Sequence, residues 1–462
     1  MVSRASSRCA RSGWRQWLVT TVLSVTAAHF AAAGPDAISL PEEVLPELRP
    51  ILQQAVRQSP TMQLESLQQA RIDAEYLVAR AVLLPQLTFG GNYSISRSER
   101  RDVPSSVTDD DGFFYSVGVS QSVFHWGALK AQRDIADLER LVSENNLDDA
   151  RRRLVQSVRS QYLGLVMKQQ SLRNQRFGKK LHDQTVAWAE ERFSQGLISP
   201  AEIEQVRLGA QEAQYLIDLY EHDFASSIQI FGRLIGNRNF DGATVPAQLP
   251  RPAYDEAEVE RTFQLLSVDS LREVPAVQSR ELRLVQEEKR YDIARAMLRP
   301  KVSLSASYGL TNLTSATAAG IDQTGVVTAA AGIGVNWAIF DGFAARGRKR
   351  ASLMAQRVGE RELDLFLENT LQDLRRMQRE IELTAQQLRY TERRYELTLE
   401  GVERARTELE AGRLAQSQFD STLRQAQDSE LALLRLRAEL MNRWVEYLSL
   451  SGQDPMVRES LR

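Results

Sequence analysis

Few residues in this chain are spaced to do chemistry, and the candidates fail in turn. Beyond the N-terminal segment the histidines are His125, His182 and His222, none with a second ligand at metal-type spacing. Asp109-Asp-Asp-Gly112 starts like a calcium loop, but the later oxygen donors do not follow, so the run reads as a hairpin turn. Gly332-Ile-Gly334 sits inside an alternating stretch with no helix directly behind it, which rules out a phosphate loop. The basic runs Arg151-Arg152-Arg153 and Arg346-Gly-Arg-Lys-Arg350 could meet phosphate. With 58 basic and 60 acidic side chains overall, helix-surface charge or contact with lipid phosphate suits them better than nucleic acid. No nucleophile elbow or catalytic carboxylate pair stands out. The expectation is no enzyme, no cofactor and no metal. What remains are two glycines, Gly196 and Gly412, each interrupting long helical sequence where a turn needs positive φ.

The elements around those glycines explain the pattern. The chain has 462 residues, 43% hydrophobic and 26% charged, with a mean hydropathy of −0.35. That balance excludes a polytopic helical membrane protein and a disordered chain. A basic head with Arg4, Arg8, Arg11 and Arg15, an apolar run from Trp17 to Phe30 and Ala31-Ala32-Ala33 make residues 1–33 an expected signal peptide. Cys9, the single cysteine, precedes the apolar run and so is not a lipoprotein cysteine; the expected mature chain, 34–462, then has none.

The mature sequence reads as one unit repeated. Ser59-Pro60 lies 215 residues before Val274-Pro275, and Arg80-Ala-Val-Leu-Leu-Pro85 matches Arg295-Ala-Met-Leu-Arg-Pro300 at the same offset. Further on the offset becomes 216, pairing Phe124 with Phe340, Gly196 with Gly412 and Gly236 with Gly452. Repeat 1 is placed at about 42–236 and repeat 2 at about 258–452, with a proline-bearing linker, 237–257, between them.

Each repeat carries two alternating stretches. Leu87, Phe89, Gly91, Tyr93 and Ile95 face away from Thr88, Gly90, Asn92 and Ser94, and similar stretches follow at 113–123, 302–310 and 327–339. Period-two alternation marks strands, of about 9 to 12 residues here, the length of tilted transmembrane strands. The small, nearly uncharged opposite face suits a lumen better than the water-facing side of a soluble sheet. Hydrophilic loops are expected at 97–112 and 311–325. Four strands cannot close a barrel, and an open edge in lipid leaves backbone groups unpaired, so several chains must share one.

From Ala128 to Gln195 and from Ala344 to Ala411 nothing breaks the helical pattern, giving rods of about 100 Å at 1.5 Å per residue. Beyond each glycine a shorter helix returns with three-four spacing: Ile203, Val206, Ala210, Ala213, Ile217 and onward in one, Phe419, Thr422, Ala426, Ser429, Leu433 and onward in the other.

The duplication, the strand starts Leu-Leu-Pro85-Gln-Leu and Leu-Arg-Pro300-Lys-Val, the strand exits Phe124-His-Trp-Gly127 and Phe340-Asp-Gly342, and the two glycine tips together resemble the TolC-like outer membrane efflux protein family (outer membrane factors). The resemblance covers essentially the whole mature chain. It implies an α+β membrane protein in which each chain gives four transmembrane strands to a trimeric 12-stranded β-barrel, continuous with an α-helical coiled-coil periplasmic tunnel. The implied place is the outer membrane of a Gram-negative-type bacterium, with a large periplasmic part. The implied role is an exit duct in tripartite efflux or type I secretion, partnered by a periplasmic adaptor and an inner membrane transporter of RND, ABC or MFS type. The adaptor-docking tips would be Gln195-Gly196-Leu197 and Ala411-Gly412-Arg413, with Arg413 where relatives carry a small or apolar residue. Some relatives carry gating acids just after the tips; here Glu202 stands at that position in the first copy but Gln418 in the second, which departs from an acidic ring, with Glu204 and Asp420 nearby, and solvated helix charge is the competing reading. The alternative overall is a periplasmic coiled-coil adaptor or scaffold without a channel, although an adaptor would have one hairpin rather than two equal ones.

Overall fold

The computed structural model describes residues 37–99, 107–317 and 320–456; the expected signal peptide and Cys9 lie outside them. Near the start come α1 (Pro41–Val44), α2 (Leu48–Gln58) and α3 (Pro60–Ala81), then strands β1 (Gln86–Glu99) and β2 (Val107–Phe124). The first long hairpin follows as α4 (Ala128–Ser194) and α5 (Pro200–Leu234). After a short 3-10 turn at Gly242–Thr244 the plan recurs: α6 (Glu256–Gln264), α7 (Val268–Leu271), α8 (Pro275–Arg295), β3 (Lys301–Thr317), β4 (Gly320–Asn336), α9 (Ala344–Glu410) and α10 (Gln416–Ser451). The helices α4 and α9 are each 67 residues long, one residue short of the sequence expectation at the tip end. No described helix is long and apolar enough to cross a membrane.

The strands make one antiparallel sheet in chain order, with β1 and β4 as open edges. They run longer than the sequence pattern suggested, at 14, 18, 17 and 17 residues. Much of what reads as hydrophilic loop is ladder. Asp109-Asp-Asp-Gly112 is not a hairpin turn but part of β2, paired with Ser94–Arg97 on one side and Leu313–Ala316 on the other. Polar partners make this possible: Arg97 lies 3.7 Å from Asp109, and the Ser315 hydroxyl donates to the Asp110 carboxylate at 2.5 Å.

All heptad positions expected from α5 and α10 are buried or half-buried. They feed two apolar cores. One gathers α2, the middle of α4 and the end of α5, with Phe231 and Tyr162 at 5.8 Å ring separation. The other gathers α6, α8, α9 and α10, where Trp444 stacks on Tyr447 at 5.7 Å. Helix α10 contributes to both, with Leu433, Leu436 and Leu440 in one core and Leu434, Ala438 and Met441 in the other. Within the proline-bearing segment after α5, Val245 and Leu249 are buried in the first core.

Two glycines fasten the ends of these units. Gly236, just past α5, has φ of +75° and meets the α2–α3 corner so closely that a Cβ would lie 2.2 Å from the Gln58 carbonyl oxygen. Gly452, just past α10, has φ of +72° and abuts Val274 in front of α8. Helix α8 packs against both α4 and α9, whereas α3 packs along α4 without comparable contact to α9.

Candidate functional site

The sheet has two chemically distinct faces, read directly from its register. One carries the rows Leu87–Val119–Ala306–Ala331, Phe89–Val117–Tyr308–Ala329 and Gly91–Tyr115–Leu310–Val327. Many of its large side chains are exposed: Phe89 is 73% accessible and Ile333 74%. The other carries Gly90–Ser116–Gly309–Thr328, Thr88–Gly118–Ser307–Ala330 and Ser120–Ser305–Gly332. Charge on this small-residue face of the described strands is confined to Asp110 and Asp322 in one row and Lys301 at the start of β3. Gln121 falls on the apolar side of β2, but its amide donates to the Leu83 carbonyl at 2.8 Å instead of remaining unpaired. A register shift between Ser122 and Phe124 places Phe124 opposite Val302, on the apolar face.

The sheet joins the rods through the same turn twice. His125–Ala128 and Asp341–Ala344 are each closed by a backbone hydrogen bond, at 3.0 and 3.3 Å, with both central residues at positive φ. This is the type I′ conformation, which ordinarily wants glycine. Glycine fills only one central position in each turn, leaving Trp126 (φ 55°) in the first and Phe343 (φ 70°) in the second. Each left-handed aromatic costs about 1–2 kcal/mol. Contacts hold them in place: the Trp126 indole donates to the Pro300 carbonyl at 2.8 Å, and Phe343 meets Phe340 edge-on at 5.4 Å.

At the far ends of the rods the two tips share a chain reversal but not a cap. Gly196 N–H donates to the Phe193 carbonyl and Leu197 N–H to Arg192, both at 2.9 Å; Gly412 donates to Leu409 at 2.9 Å and Arg413 to Glu408 at 2.8 Å. Both are Schellman closures, and Gly196 (φ 73°) and Gly412 (φ 69°) supply the left-handed residue. Gln195, Leu197, Ala411 and Arg413 are all exposed around them. The first tip then has a full capping box on Ser199: its N–H donates to the Glu202 carboxylate at 2.7 Å and its hydroxyl accepts from Glu202 N–H at 3.2 Å. Those bonds from Ser199 hold the Glu202 pKa below the usual glutamate value. The second tip has Ala415 at that place, with no side-chain cap. Glu204 and Gln418 point to solvent, while Asp420 is buried and accepts from the Gln416 amide at 2.8 Å. No hydrogen bond or ion pair joins one tip to the other among the described residues; hydrogen bonding between the hairpins is found nearer the middle, where Asn174 donates to the Gln427 carbonyl at 3.3 Å.

The capping box makes the first tip the better ordered of the two. Ser199→Ala should speed amide exchange at residues 201–203 toward the rate at 417–419, with no change near Tyr162. Because the folded pKa of Glu202 is depressed, its contribution is present above the unfolded glutamate value and fades as pH falls through the folded one. Protection at the first tip, taken relative to the intrinsic exchange rate at each pH, should therefore fall in acid, and a flat protection profile would count against the cap.

Sequence reasoning missed a buried ionic cluster at mid-height. Arg159 of α4 is fully buried; it donates to Glu42 of α1 through Nε at 2.9 Å, and to Asp454 past α10 at 2.5 Å. Burial opposes its charge, but the two carboxylates outweigh that and raise its pKa. The available signal was an arginine amid the apolar run Leu154, Val155, Val158, Tyr162, Leu163. Its partners, 117 and 295 residues away, left none.

Known proteins share this architecture and parts of the sequence. The model of the outer membrane efflux protein family matches residues 51–229 and 266–453. The pyoverdine export outer membrane protein OpmQ of Pseudomonas putida is 24% identical over 291 residues, 61% of this chain and 60% of that protein, so the match spans well under two thirds of the relative's length. In solved structures, the CmeC outer membrane channel of Campylobacter jejuni superposes with a TM-score of 0.72 at 14% identity, covering 95% of this chain and 96% of that one. The outer membrane protein VceC of Vibrio cholerae gives 0.65 at 16% identity, covering 90% and 99%. The turn-linked amphipathic sheet and paired rods thus coincide with a family match over most of the sequence, and the chain belongs to the outer membrane efflux proteins.

Proposed function

We propose that three copies of this chain form a passive exit duct through the outer membrane, with the sheet as one third of a barrel and the paired rods as one third of a tunnel reaching into the periplasm. The observation that carries this is the sheet with two faces and two open edges. Its apolar face is largely exposed, with Leu87, Phe89, Ile95 and Ile333 all more than 70% accessible, and the outer sides of β1 and β4 carry unpaired backbone groups that lipid cannot satisfy. Pairing β4 of one copy with β1 of the next removes both problems at once. The helices favour the same closure: α8 fills the space between α4 and α9, and α3, bearing exposed Leu64, Leu67 and Val78, offers that role to the α9 of a neighbouring copy. The exposed Met354, Val358 and Leu365 of α9 supply the matching stripe. We read the tips around Gly196 and Gly412 as the surface met by a periplasmic adaptor, with an inner membrane transporter of RND, ABC or MFS type supplying cargo and energy in efflux or type I secretion.

Full-length protein extracted from membranes should migrate as a heat-sensitive trimer and produce discrete conductance steps in planar bilayers. A soluble monomer obtained without detergent would end the duct reading. Replacing Leu197 and Arg413 together with Asp, which adds charge to both tips without touching the turn glycines, should abolish export-dependent drug tolerance while leaving the trimer intact. Wild-type tolerance in that variant would remove the docking role.

A further inference from the structure

We propose that the foot of the barrel binds the phosphate head groups of anionic glycerophospholipids in the leaflet nearer the rods. This rests on the membrane-embedded reading above and adds a ligand to it. The corner where α8 passes into β3 is clamped by two indoles: Trp126 donates to the Pro300 carbonyl at 2.8 Å and Trp337 to the Leu298 carbonyl at 3.0 Å. Trp126 packs edge-on against Phe124, 4.9 Å away, which the register places on the lipid-facing side. Between the two carbonyls sits Arg299, its guanidinium 4.8 Å over the Trp126 ring and without a carboxylate partner among the described residues. The first repeat has no such corner, because Leu84 replaces the arginine and the Leu83 carbonyl is taken by Gln121.

The neighbouring start of α9 deepens the imbalance. Arg346, Arg348, Lys349 and Arg350 are all exposed in its first two turns, where the helix dipole already disfavours cations and no acid occupies the first turn. None has an ion-pair partner among the described residues: Arg348 reaches only the Met297 sulfur at 3.5 Å, and Lys349 only the Tyr291 ring at 5.8 Å. Residues 293–350 contain seven basic side chains and two acidic ones. Of the two, Asp322 lies toward the opposite end of the sheet and Asp341 is committed to the Ala345 N–H at 2.7 Å. In a chain of net charge −2, this much unpaired positive charge directly beneath an aromatic belt is complementary to a row of phosphodiesters. The guanidinium fork of Arg299 suits a phosphate in particular.

Native mass spectrometry of the detergent-purified full chain, mixed with phosphatidylglycerol and phosphatidylethanolamine of matched acyl chains, tests the assignment. Wild type should retain phosphatidylglycerol preferentially. The variant carrying Arg299→Gln, Arg346→Gln and Arg350→Gln should lose that preference by about fivefold per charge removed. Equal retention of both lipids by wild type, or an unchanged preference in the variant, overturns the proposal. So does displacement of the lipid by excess inorganic phosphate, which would make the surface a general anion patch. Insertion into phosphatidylethanolamine vesicles separates the two levels. A chain that inserts but shows no preference refutes the lipid site alone, whereas one that never inserts refutes the duct reading with it.

Discussion

Replacing Arg159 with methionine is expected to destabilise the folded chain by about 3–5 kcal/mol, the usual consequence of removing one member of a buried ionic cluster. Its side chain is 0% exposed, and the carboxylates it leaves behind, Glu42 and Asp454, are only 7% and 1% exposed. Two acids would then lie buried without the guanidinium that holds them. Neutralising them should undo most of the damage: Arg159→Met with Glu42→Gln and Asp454→Asn is expected to return to within about 2 kcal/mol of wild type, since an uncharged set no longer carries the desolvation cost. Thermal unfolding of the purified protein followed by helical circular dichroism measures both. A single variant as stable as wild type, or a triple variant worse than the single one, would show that the cluster does not fasten the chain.

The second large effect is expected at Gly236. Alanine there would need a left-handed backbone, at φ of +75°, and would push a Cβ to 2.2 Å from the Gln58 carbonyl oxygen and 2.6 Å from its carbon. Backbone at a helix corner cannot give way as a side-chain tip can, so a loss of about 3 kcal/mol or more is expected. Gly452 is the control. Its backbone is equally left-handed, but a Cβ would meet the Val274 Cγ2 methyl at 3.0 Å, and that side chain can rotate aside. Gly452→Ala should therefore cost about 1–2 kcal/mol. Yields of heat-sensitive trimer and urea midpoints should rank the variants in that order; equal losses would show that close approach at Gly236 carries no special cost.

These two sites mark where sequence reasoning stopped. The lengths of α4 and α9 were legible to within a residue because two long proline-free gaps and strong helix formers permit little else. The glycine tips were legible because Gly196 and Gly412 interrupt that pattern at matching places. The strands were legible by alternation, but their extent was not. Asp109–Asp111 look like turn residues, and only the cross-strand partners Arg97 and Ser315 make a ladder of them. Strand propensity is largely a property of neighbours, which a single sequence does not display. The helices ahead of the strands escaped notice as well: α1, α2, α6 and α7 are too brief for a period to emerge, and α3 and α8, though over twenty residues long, bury too few side chains to show an apolar stripe. Glu202 posed a different problem. Its spacing from Ser199 is that of a capping box, a signal present in the sequence, and its carboxylate is occupied there by the Ser199 N–H.

Helix α10, which lies in both apolar cores, bears on how the chain comes apart. A duplicated sequence invites the thought that each half could melt, or be expressed, independently of the other. Yet Leu434, Ala438 and Met441 belong to the first core, while Leu433, Leu436 and Leu440 on the same helix belong to the second. Peeling this helix from either core exposes apolar surface in both, so neither half can reach its full stability alone. The duplication is one of sequence and form, while cooperativity is a property of the whole chain. Fragments cut between 237 and 255 would be expected to find each other again before either folded completely.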